Sequence, residues 1–231
     1  GVRPSDQVGQ EPPAEIREVK VEGLERPTTD STGAPIHTTE EGVKNFWKEF
    51  KDTKIVDAEG RPQVVYHGTA APVEEGGIST FRTRSHFGTL ETASEFARKE
   101  GSHIYPVYLN IKKPLRIEDT GEHHDSYVLK DQILKALGKK ESYPWDSWQS
   151  LLEDHGYDGV VYQNKVEGFG DSYIPKEITQ VKSAIGNKGA FDTTKPEINE
   201  ARGYVEYPTT DSTGAPIHTT EEGVKNFWKG F

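Results

Sequence analysis

Val64-Val65-Tyr66-His67-Gly68-Thr69 joins a β-branched and aromatic run to three residues that suit a binding edge better than a core strand. Val64 to Tyr66 read as a buried strand, and polar residues begin where that strand should stop. Histidine there offers a directional hydrogen bond near neutral pH, glycine lets a ligand approach the backbone, and threonine can cap the following turn. A lone strand-end histidine also fits a purely structural hydrogen bond, so its company decides the reading.

That company lies downstream. Ser85-His86-Phe87-Gly88-Thr89-Leu90-Glu91-Thr92-Ala93-Ser94-Glu95-Phe96-Ala97 reads as a short strand or loop that becomes a helix. Thr89 is its predicted N-cap and Glu91 lies in its first turn, with Ala93, Phe96 and Ala97 on one face. Asp171 to Ala184 reads as a strand, a short excursion around Pro175, and a second strand.

These stretches resemble the ADP-ribosyltransferase domains of the diphtheria-toxin and poly(ADP-ribose) polymerase type, most closely those of phage and mobile-element polyvalent proteins. The residues that carry the resemblance are Asn45-Phe46-Trp47, Val56-Asp57-Ala58-Glu59-Gly60-Arg61-Pro62, Val65 to Thr69, His86-Phe87-Gly88-Thr89 and Pro106 to Ile111. Gly156 to Tyr162 and Gln180 to Asn187 complete the series, and the match runs from Thr38 to Asp192. Each motif is short; their order and spacing give the signal.

The resemblance implies an α+β fold, an ADP-ribosyltransferase-like split β-sandwich with flanking helices, and NAD bound in the cleft as co-substrate. It implies that His67 hydrogen-bonds the hydroxyls of one ribose and that the Gly68 backbone pairs with the nicotinamide carboxamide, with Thr69 completing the motif. Phe87 and Phe96 fall where the family commonly has tyrosines, the second of which stacks on nicotinamide. A phenyl ring keeps that platform and loses one polar handle. Ordinary core packing is the alternative for both rings.

Cleaving the nicotinamide–ribose bond develops positive charge on the sugar, which a nearby carboxylate can stabilise. Here the chain departs from the family: the glutamate slot falls on Ser172. Asp171 is adjacent but points to the opposite face of a regular strand. Glu167, in Glu167-Gly168-Phe169-Gly170, ranks first as the substitute and Asp171 second. The resemblance thus implies a mono-ADP-ribosyltransferase acting on a protein acceptor in a bacterial cytoplasm after delivery. A non-catalytic NAD-binding or scaffolding module is the alternative.

Composition narrows the remaining classes. The chain has 231 residues, a net charge of -10, no cysteine and no methionine. No apolar run approaches bilayer-spanning length, so a membrane partner is not expected and the chain reads as soluble. The acidic balance argues against nucleic acid recognised through phosphates. Without cysteine there are no disulfides or thiolate metal sites. The missing methionine and the start at Gly1 give the expectation of a fragment from a longer protein.

Residues 27–50 recur at 208–231 with Glu49 replaced by Gly230 as the single difference. The repeat carries Thr38-Thr39-Glu40-Glu41 in capping-box form, then Val43, Phe46, Trp47 and Phe50 at i, i+3, i+4 and i+7. It is an amphipathic helix whose second copy has no evident core, which points to a tandem array or to self-association through residues 208–231.

The remaining segments divide the chain into a linker (1–35, with one strand at Glu18 to Val21), a transferase-like domain (36–192), a second linker (193–207) and the second repeat (208–231). Ser102 to Ile111 is expected as a central strand ended by Pro114. Helices are expected over Asp125 to Leu137, with Val128, Leu134 and Leu137 inward, and over Asp146 to His155, with Trp148, Leu151 and Leu152 inward. Gly159 to Tyr162 is a short buried strand. His123-His124 beside Glu122 and Asp125 lacks a second ligand cluster, so no metal site is assigned.

Overall fold

The strand that opens the fold is β3, Val65–Gly68, so His67 and Gly68 belong to the strand itself rather than to the turn after it. The computed structural model describes residues 18–69, 80–98, 102–119, 121, 126–140, 147–165 and 168–199. β3 pairs antiparallel with β4 (Ile104–Leu109), which pairs antiparallel with β8 (Val181–Ser183), giving one three-stranded sheet with β4 central. A second sheet is built from β5 (Pro114–Arg116), β6 (Gly159–Gln163) and β7 (Asp171–Pro175), with β6 central. Small sheets mixed with helices make the fold α+β.

Alternation along the central strands sorts the apolar side chains into layers. Val107 and Leu109 face Val161 and Tyr173 of the other sheet, together with Phe87 and Val181. Tyr108, between them in sequence, points the other way, into a cluster with Phe46, Trp47, Phe50 and Phe191. Likewise Val160, Tyr162 and Ile174 turn away from the first sheet toward Leu129, Ile133 and Leu152. The order is therefore helix and hairpin, sheet, sheet, helix pair.

Helix α1 (Glu40–Phe50) fills the first layer with Val43, Phe46, Trp47 and Phe50, as its spacing predicts. Its cap sits one residue later than the Thr38–Glu41 box implied. Thr39 accepts the amide of Gly42 at 3.1 Å, which leaves glycine rather than glutamate at the reciprocal position. Helix α2 (Leu90–Phe96) is capped by Thr89, which accepts the Thr92 amide at 3.2 Å, and carries Glu91 in its first turn. Helix α4 (Trp148–Asp154) buries Trp148, Leu151 and Leu152 as expected.

Four features differ from the sequence reading. Residues 18–35 were expected as linker with one strand; β1 (Glu18–Val21) and β2 (Leu24–Pro27) instead form a hairpin that buries Val19 and Val21 beside α1. Pro114 does not simply end β4: it opens β5, an edge strand parallel to β6, where a missing amide is tolerated. Helix α3 (Ser126–Ala136) turns Leu129, Ile133 and Leu134 fully inward, with Val128 and Leu137 only half buried. Residues 193–199, expected as linker, lie against β8: Ser183 donates its amide to the Ile198 carbonyl at 2.9 Å, and Ile198 is buried. Among the described residues no helix is long and apolar enough to cross a membrane. The second repeat (208–231) and the His123-His124 pair lie outside the described residues.

Candidate active site

Two residues tie the sheets together. Phe87 exchanges backbone hydrogen bonds with Tyr173 of β7 (2.9 and 2.7 Å), and Gly88 exchanges them with Tyr66 of β3 (2.9 and 3.0 Å). Segment 87–88 thus spans from one sheet to the other. Beside it opens a cavity of about 420 Å³ lined by β3, residues 82–88, α2, and the ends of β6 and β7.

His67 is fixed on this wall by one hydrogen bond and two rings. Its Nδ1 lies 2.8 Å from the His86 carbonyl oxygen, which can only accept, so Nδ1 carries the proton and donates. Nε2 is then left with a lone pair. Phe81 and Phe87 pack against the imidazole with centroids at 5.1 and 5.5 Å. Burial among these rings pushes the His67 pKa below its ordinary value, and the His86 carbonyl opposes that shift only in part. Neutral His67 is an acceptor held in one orientation.

Gly68 lies under α2. A Cβ at this position would stand 1.9 Å from the Ala93 carbonyl oxygen and 3.1 Å from Phe96 Cβ, so no larger residue fits without moving the helix. The bare backbone is therefore used first for close helix packing, and the same contact sets Phe96 beside Gly68. Phe96 is 44% exposed and lines the cavity, whereas Phe87 is completely buried and braces His67 from behind.

Ser172 lies on the opposite wall, 1% exposed. Its hydroxyl accepts from Asn164 Nδ2 at 3.4 Å, and a Cβ on Gly88 would stand 2.8 Å from it. Asp171 points away, as strand alternation requires, and makes a two-pronged pair with exposed Arg116 at 2.7 and 3.0 Å. That pair raises the Arg116 pKa through the hydrogen bond, and Asp171 is not brought to the cavity. Thr69 also stays outside, donating its amide to the His103 carbonyl at 2.9 Å. Glu167 lies outside the described residues.

The structure thus brings together His67, Gly68, Phe87, Phe96 and Ser172. Sequence reading missed Phe81, Arg82, Arg84, Tyr162, Asn164 and Asp119, all but Phe81 lining the same cavity. Asp119 is the one carboxylate on the cavity wall among the described residues, and it accepts the amides of Gly121 and Lys165 at 2.9 and 2.8 Å. Tyr162 Oη meets His86 Nδ1 at 2.8 Å. Tyr162 and Asn164 follow two valines at the end of a short strand, the same signal that singled out His67.

Fold and cavity define an α+β protein with a cavity beside the segment that joins two small sheets, walled by an oriented imidazole, an accessible phenyl ring and basic side chains. The chain belongs to the family of ADP-ribosyltransferases in polyvalent proteins, whose family model matches residues 57–191. Membership implies ADP-ribosyltransferase activity in general, with NAD as substrate. No curated protein and no solved structure matches the chain.

Proposed function

We propose that this chain is a mono-ADP-ribosyltransferase that cleaves NAD at the nicotinamide–ribose bond and passes ADP-ribose to a protein side chain. The observation that carries the reading is the convergence of His67, Gly68 and Phe96 on one cavity of about 420 Å³. The two facing sheets fit the split β-sandwich that the family resemblance implies.

In this reading Phe96 stacks on the nicotinamide ring and the Gly68 backbone selects its carboxamide. His67 Nε2 accepts from a ribose hydroxyl, which requires the neutral tautomer that the His86 carbonyl enforces. Arg82 and Arg84 supply positive charge for the diphosphate. The C1′–N bond breaks with its electron pair leaving on nicotinamide. A carboxylate stabilises the resulting sugar cation, and an acceptor lone pair then forms the new bond at C1′ while losing its proton to solvent or a base. Ser172 supplies no charge, and Asp119 takes the carboxylate role among the described residues. The acceptor is a host or competitor component.

Incubation with labelled NAD and a cell lysate tests this. Labelled protein bands should form with the native chain and disappear with His67→Ala, and Asp119→Asn should lose labelling while retaining NAD binding. The neutral Ser172 favours a second reading, a non-catalytic NAD-binding module. Saturable NAD binding without release of nicotinamide would establish that reading and overturn the first.

A further inference from the structure

The seat that holds residues 27–50 has a second matching occupant in the same chain. In the structure this segment is fastened by contacts of several kinds. Asp30 accepts the Tyr108 hydroxyl at 2.8 Å, and Asn45 Nδ2 donates to the Gly189 carbonyl at 2.9 Å. Trp47 Nε1 donates to the Pro27 carbonyl at 2.7 Å, and Phe46, Trp47 and Phe50 are at most 1% exposed. Every one of these groups recurs in residues 208–231, where Asp211, Asn226, Phe227, Trp228 and Phe231 stand at the equivalent positions. The complementary wall belongs to neither copy: Val64, Tyr108, Gly189 and Phe191 come from the chain between them, and Val19 and Val21 from the hairpin strand before the first.

The one difference falls on a contact. Glu49 accepts the Thr193 hydroxyl at 2.7 Å through its carboxylate, and Gly230 has no side chain to do so. The Glu49 carbonyl, which accepts from Asn110 Nδ2 at 3.0 Å, has a backbone counterpart in Gly230. The second copy therefore carries the same partners for the seat except the Glu49 carboxylate and, just before the repeat, Arg26, which lies over Trp47 at 5.0 Å and is replaced by Tyr207; it also has a weaker helix former near its end.

The segment after β8 already runs along α1, meeting Asn45 at Gly189 and Glu49 at Thr193. From Asn199 to Pro208 an extended chain spans up to about 30 Å, roughly twice the length of an eleven-residue helix.

We propose that residues 208–231 exchange with residues 27–50 for this single seat within one chain, the first copy being favoured through Glu49. The displaced copy gives up this seat together with the burial of its phenylalanine and tryptophan face there.

Variants of the full chain decide the matter. Phe227→Asp should leave the melting temperature unchanged, Phe46→Asp should melt a few degrees lower yet still cooperatively and as a monomer, and the double variant should show no cooperative transition. Thr193→Val reports which copy is seated: it should lower the melting temperature of the native chain and leave that of Phe46→Asp unchanged. The proposal is overturned if Phe46→Asp alone abolishes the transition. Retention of the transition in the double variant, or rescue of Phe46→Asp only as a dimer in sedimentation, would overturn it as well.

Discussion

His67 is neutral because of where it sits, and that neutrality has a thermodynamic consequence. Burial lowers its pKa from an ordinary value of 6.5. Below that pH the unfolded chain takes up a proton that the folded chain resists, so the unfolded state binds more protons and stability falls with the pH. The contribution is complete above about pH 6.5 and is lost as the pH drops toward the folded value. Urea unfolding between about pH 5 and 8 should therefore show a shallower acid-side loss for His67→Gln than for the native chain. Equal slopes for the two proteins would contradict the assignment of a buried neutral imidazole. The sequence showed which atom types were present at His67, because a polar residue at the end of an apolar strand is visible as a pattern. Its tautomer was not visible. That depends on the His86 carbonyl, nineteen positions away, and on two phenyl rings that fold in behind it.

α2 shows how a short element carries the site. With seven residues it is too short to persist alone, so its cap and its contact with β3 hold it. Thr89→Ala removes the acceptor for the Thr92 amide and should cost about 1 kcal/mol in urea unfolding. Because Ala93 rests on Gly68 and Phe96 ends the helix, calorimetric NAD affinity should fall with it, and Thr89→Ser should restore both. Unchanged affinity in a destabilised Thr89→Ala would separate α2 from the binding site. This cap was legible, as were α1 and α4, because side-chain caps and a 3.6-residue period are local signals. β5 was not legible, since three residues beginning at Pro114 carry no period and are ordered only by pairing with β6. The hairpin β1–β2 was half legible for the same reason: Val19 and Val21 alternate, but β2 places no apolar side chain in the core.

At the scale of the molecule, the α+β class followed from irregular mixing of strands and helices, whereas the convergence of the cavity walls depended on contacts no local pattern encodes. Segment 87–88 is one such contact, since its pairing with both β3 and β7 appears only when the sheets face each other. The closing segment beyond β8 is another. Its Gly, Asn and Pro content reads as loop, yet Lys182 makes it part of the body. The lysine is fully buried and its Nζ donates to the carbonyls of Lys195 and Glu197 at 2.6 and 2.9 Å. A buried ammonium is tolerated where such acceptors replace water. Lys182→Met keeps the apolar stem and strands both carbonyls, at a cost of about 1–3 kcal/mol. The loss should be local before it is global. The Ser183 amide, which donates to the Ile198 carbonyl, should exchange with deuterium faster in Lys182→Met, while NAD affinity holds because residues 182–199 do not line the cavity. Unaltered exchange at Ser183 would mean that the segment's other contacts anchor it and that the buried ammonium is incidental to it.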